Sequence, residues 1–116
     1  MMGIRRIVPL VLFSLLLPAG ARFIRVDFPN GGEVLKSGSE IRVLWHSLGV
    51  GGNLAILLFK GGEQYAIIAA AAPDNGSFTW KIPSALPDSG QYRLRISSLR
   101  DLRINDFSDR DFAIHR

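Results

Sequence analysis

Asp88-Ser89-Gly90-Gln91-Tyr92-Arg93-Leu94-Arg95-Ile96-Ser97-Ser98, residues 88–98, is the stretch on which the fold turns. Tyr92, Leu94 and Ile96 alternate with Arg93, Arg95 and Ser97, the period of two expected of an extended strand with one buried and one wet face. Its opening carries a second signal. A tyrosine two residues into a strand, preceded by Asp88 and Gly90, fits a corner in which the phenol hydroxyl turns back onto the main chain a few residues upstream.

Working outward, the same alternation recurs. Phe78, Trp80 and Ile82 face one way against Thr79 and Lys81, and Ile41, Val43 and Trp45 oppose Arg42 and His46. Both tryptophans are therefore expected in the core. The predicted strands are 23–28, 40–46, 53–60, 64–71, 77–82, 91–98 and 107–114, separated by Gly-, Pro-, Asn- and Asp-rich turns such as Pro29-Asn30-Gly31-Gly32 and Pro73-Asp74-Asn75-Gly76. No helix-length periodicity follows residue 22. Seven short strands at this spacing predict an all-β, immunoglobulin-like Greek-key β-sandwich spanning 22–116.

Residues 1–21 read differently. Arg5 and Arg6 precede an apolar run from Ile7 to Leu17, then Pro18 and Ala19-Gly20-Ala21. This is the three-part plan of a secretory signal peptide, with cleavage after Ala21. As a helix the run covers about half of a ~30 Å hydrocarbon core, so no stable membrane span is expected after cleavage. The predicted location is secreted, extracellular or in the cell envelope. Removing Arg5 and Arg6 lowers Lys plus Arg from 14 to 12 against 10 Asp plus Glu, and the net charge from +4 to +2. With no clustered cations among aromatics, nucleic acid is not an expected partner. The chain has no cysteine, which removes disulfides and thiol chemistry and leaves the fold to its core.

Chemistry has little to build on. His46 and His115 are the only histidines, and no serine sits in a nucleophile-elbow context, so neither a Ser-His-Asp arrangement nor a histidine metal site is indicated. Asp106, Asp109 and Asp111 lie close enough in sequence to consider Ca²⁺. The alternative is that Asp111 forms a cross-strand ion pair with Arg93 or Arg95. No catalytic, cofactor or metal residue is assigned, and the protein is not expected to be an enzyme. Arg93, Arg95, Arg100 and Arg103 form either a basic strip for acidic polysaccharide or a solvated face neutralised by Asp101, Asp106 and Asp111.

One hairpin breaks the alternation. Leu54 to Phe59 and Tyr65 to Ala72 are apolar on both faces, where a half-exposed antiparallel strand is apolar on one. If Leu54, Ile56 and Leu58 face the core, Ala55, Leu57 and Phe59 face outward, joined by Tyr65 and Ile67 or by Ala66 and Ile68. Either a loop covers this surface, or it docks another protein domain or a second copy of the chain. A different reading is a binding module for cell-wall polysaccharide, using Tyr65 or Phe59 with Arg93 and Arg95. The candidate binding residues are thus Leu57, Phe59, Tyr65, Arg93 and Arg95.

The ordered series Pro29-Asn30-Gly31-Gly32-Glu33, Ile41-Arg42-Val43-Leu44-Trp45, Phe59-Lys60-Gly61-Gly62, Asn75 to Pro83, Tyr92 to Ile96 and Asp106-Phe107-Ser108-Asp109 resembles the Ser-Thr-rich glycosylphosphatidylinositol-anchored membrane family, also described as the Kre/Knh-like N-terminal Ig-like domain. The resemblance implies an Ig-like fold and a cell-surface or cell-wall setting. Fungal members are linked to β-1,6-glucan assembly, and bacterial and archaeal modules of this type occur in exported surface proteins. It implies no catalytic motif. The Ser/Thr-rich stalk and hydrophobic tail of the fungal pattern have no counterpart among these residues.

Overall fold

A computed structural model describes residues 20–116; the signal-peptide reading falls almost wholly outside these residues. Among those described, the chain is all-β, with nine strands: β1 (Phe23–Phe28), β2 (Val34–Lys36), β3 (Glu40–Leu48), β4 (Asn53–Lys60), β5 (Glu63–Pro73), β6 (Ser77–Lys81), β7 (Ser89–Ser98), β8 (Asn105–Phe107) and β9 (Phe112–His115). They form two sheets. The smaller has the order β1-β3-β6, and the larger β2-β9-β7-β4-β5, with β8 also paired to β7.

The alternating residues supply the core between the sheets. Val43, Trp45 and Trp80 from the smaller sheet meet Leu54, Ile56, Leu58, Tyr92, Leu94, Ile96, Phe112 and Ile114 from the larger. Each fully buried aliphatic or aromatic side chain of this kind contributes about 1.5–3 kcal/mol relative to exposure. The corner predicted at Tyr92 is present: its hydroxyl donates to the Pro87 carbonyl at 2.6 Å. Burial, then the neighbouring Tyr65 and Asp88, raise the Tyr92 pKa.

Two features depart from the seven-strand expectation. Val34–Lys36 forms a three-residue strand parallel to β9, too short and too enclosed by turn residues to stand out in sequence. The segment expected as one strand over 107–114 is instead two. Ser108 N still donates to the Leu94 carbonyl of β7, but residues 109–111 turn away from its edge toward the loop after β1, where Gly32 N donates to the Asp111 carbonyl. Ser108 Oγ donates to the Pro29 carbonyl at 2.9 Å and accepts from the Leu94 amide at 3.0 Å. Arg110 N donates to the Asn30 carbonyl.

Candidate functional site

The loop and the 106–111 segment make a polar clasp. Glu33 accepts from the amides of Asn30 and Gly31 at 2.9 and 2.7 Å. The Asn30 side chain accepts from Asp109 N at 2.7 Å and donates to the Asp109 carboxylate at 3.0 Å. Gly31 is required here: its φ is +145°, and a Cβ would meet Arg110 Cβ at 2.7 Å. Asp106 accepts from Val26 N at 2.8 Å, and Asp111 accepts from Arg93 Nε at 2.8 Å. The three carboxylates considered for Ca²⁺ therefore serve three separate partners. Among the described residues no group of three or more His, Cys, Asp or Glu is placed to hold a metal.

Pairing places most of the candidate binding residues together. β4 and β7 bring Leu57 opposite Arg95 and Phe59 opposite Arg93, and β8 sets Phe107 opposite Arg95. Leu54, Ile56 and Leu58 are wholly buried, so Leu57 and Phe59 lie on the outer side of the sheet, as expected. Ile67, 61% exposed, pairs with Leu57 on the same side. Tyr65 does not join them. An extra residue at Tyr65 and another at Ile68 break the alternation of β5. The Tyr65 ring stays 48% exposed but lies edge-on to the buried Tyr92 at 6.5 Å, with the Lys60 ammonium 5.7 Å from its centroid.

The outer surface is partly self-covered. Phe107 meets Phe59 edge-to-face at 4.9 Å, and the Arg95 guanidinium lies 5.6 Å from the Phe107 centroid. Arg95 Nε and Ser97 Oγ on this side are buried without a hydrogen-bond partner among the described residues. The basic strip does not form as a continuous feature. Arg93 is paired with Asp111, and Arg103 forms two side-chain hydrogen bonds to Asp101. Those bonds hold the Asp101 carboxyl down to about 2. Arg100 lies across Gly51 and Gly52. On the smaller sheet, His46 contacts Asp27, which also accepts from Arg25 at 3.0 Å.

Next to Phe59 the surface dips into a cleft of about 370 Å³, lined by Phe59, Gly61, Gly62, Gln91, Arg93, Phe107 and Asp111. Its walls are the two perpendicular phenyl rings, and its polar groups are the Arg93–Asp111 pair and the Gln91 amide. Arg93 and Asp111 are the only ionisable lining residues, and they cancel. Gln91 is readable from sequence, since it precedes Arg93 by two positions. Phe107 is not, because its place depends on the β7–β8 register. Gly61 and Gly62 signal a turn and nothing of the cleft beside it.

A two-sheet sandwich with a tyrosine corner and an outward surface of apolar and arginine side chains defines an Ig-like module. The family model for the Kre9/KNH-like N-terminal Ig-like domain matches residues 28–114, and the chain belongs to that family. No curated protein and no solved structure matches it significantly.

Proposed function

We propose that the protein is a non-catalytic, exported cell-surface module, led out by residues 1–21 as a signal peptide, that associates with another protein domain or a second copy of itself in the cell envelope. Family membership supports the cell-wall-related setting. The observation that carries the docking surface is the outer side of the larger sheet, where Leu57, Phe59, Ile67 and Phe107 gather around Arg95 and leave Ile67 61% exposed and Phe107 36%. Apolar residues grouped in this way mark contact surfaces more often than those scattered singly.

The test is the solution mass of residues 22–116, which contain every core residue from Ile24 to Ile114, by size-exclusion light scattering. A dimer or larger species that Ile67→Ser with Leu57→Ser converts to monomer supports self-association. A monomer at all concentrations, with no envelope protein captured by the wild type and released by the same pair of changes, refutes the docking surface. A second reading, binding of cell-wall polysaccharide, is favoured by one observation: the cleft joins aromatic walls to paired hydrogen-bonding groups. Retention on insoluble wall polysaccharides tests it.

A further inference from the structure

We propose that the cleft at the β4–β5 turn holds one pyranose ring of a neutral glycan; this rests on the polysaccharide reading above and gives it a site and a ligand class. The volume, about 370 Å³, lies at the lower end of the ~300–1,000 Å³ usual for small-molecule sites, suited to one ring with its neighbours outside. Arg93 and Asp111 meet through Nε and Oδ1. That geometry leaves the terminal guanidinium nitrogens as donors and the second carboxylate oxygen as an acceptor. Adjacent hydroxyls of a sugar present the same combination, one accepting from Arg93 while the next donates to Asp111. The Gln91 amide, able to do both, is the third polar contact.

The rings of Phe59 and Phe107 supply the apolar side. Because they stand at 79° to one another, they form a corner that the C–H face of a pyranose can fill while its hydroxyls reach the ion pair. Gly61 and Gly62 complete the lining; a Cβ on Gly62 would meet nothing within 4 Å, and one on Gly61 only Gln91 Oε1 at 3.7 Å.

Charge selects the class. The lining is formally neutral, and an anionic sugar placed against Arg93 is also placed against Asp111. A uronic acid polymer, the ligand suggested by a basic strip, is therefore disfavoured at this cleft. Changing Asp111 to Asn removes the cancelling charge while keeping the shape, so the preference should move toward acidic sugars.

The test is an amide and arginine-Nε NMR titration of ¹⁵N-labelled residues 22–116 with cellobiose, gentiobiose, maltose and digalacturonate, each to tens of millimolar. Expected are saturable shifts at Gly61, Gly62, Gln91, Arg93, Phe107 and Asp111 for at least one neutral disaccharide, with digalacturonate at least tenfold weaker. Phe107→Ala should weaken the neutral ligand tenfold or more, and Asp111→Asn should narrow or reverse the neutral-over-acidic ratio, with distant amides unchanged in both as a check on folding. Shifts centred elsewhere, or digalacturonate binding as well as every neutral sugar, overturn the cleft assignment. If wall polysaccharide is still retained, the carbohydrate reading survives that loss. Neither retention nor shifts removes both.

Discussion

Two buried serines on the larger sheet should respond oppositely to the same substitution. Ser108 is 1% exposed and Ser97 2%. Ser108 Oγ satisfies two main-chain groups, the Pro29 carbonyl and the Leu94 amide, whereas Ser97 Oγ satisfies none among the described residues. Leaving a buried polar group without its partner costs about 1–3 kcal/mol. Ser108→Ala orphans two, and partial relaxation puts the loss at about 2–4 kcal/mol. Against a total stability of about 5–15 kcal/mol that is a large share. For a domain of this size it corresponds to a fall in Tm of roughly 10–30 °C. Ser97→Ala leaves no protein group among the described residues without its partner, so it should be neutral within about 0.5 kcal/mol or stabilising. Urea unfolding followed by the fluorescence of the buried Trp45 and Trp80 measures both. If the two variants lie within about 0.5 kcal/mol of each other, the clasp does not hold the 106–111 segment as described.

Tyr92→Phe deletes the hydrogen bond to Pro87 and should cost about 1–2 kcal/mol by the same denaturation assay. The Tyr92 pKa is raised on folding, so its contribution is fully present below pH 10 and is lost as pH rises through the folded value. Alkaline unfolding should accordingly shift in Tyr92→Phe. The Asp101 carboxyl should titrate near 2 by carbon-detected NMR, and Arg103→Met should return it toward 3.8. Because that pKa is depressed, the order it lends the 99–104 loop is present above the unfolded value and lost as pH falls toward 2. Trp45 and Trp80, 3% and 5% exposed, should resist acrylamide quenching; ready quenching of either contradicts the core assignment. Breaking the exposed Arg93–Asp111 pair with Asp111→Asn should change stability by no more than about 1 kcal/mol, which keeps that variant usable as a binding probe.

Strand alternation was legible because it reports burial directly. The periods at 41–45, 78–82 and 92–96 place Val43, Trp45, Trp80, Tyr92, Leu94 and Ile96 in the core, and the corner at Tyr92 follows from residues contiguous in sequence. What was not legible depends on register. Tyr65 is exposed as the sequence suggests, yet an extra residue in β5 sets it beside Lys60 and Tyr92 and apart from Phe59, and no local propensity announces a bulge in an alanine-rich strand. Phe107 reaches the outer surface through its pairing with Arg95, across a long loop. The break at 109–111 arises from hydrogen bonds to a loop some 79 residues away.

That break bears on what family membership can say about function. Pro29, Asn30, Gly31 and Glu33 at one end of the recognisable series, and Asp106, Ser108 and Asp109 at the other, are the residues of the clasp. Their polar groups are engaged by main chain or by each other. Those motifs thus identify a way of closing the sandwich and leave few groups there to meet a ligand. The residues free to do so, Leu57, Phe59, Ile67, Gln91, Arg93 and Phe107, lie on the outer side and cleft rim of the larger sheet. Phe59, Arg93 and Phe107 belong to the same recognisable series, yet a shared fold does not fix what its surface binds. The ligand of this chain must therefore be sought from its own outer surface, and the Asp111→Asn sugar titration asks that surface directly.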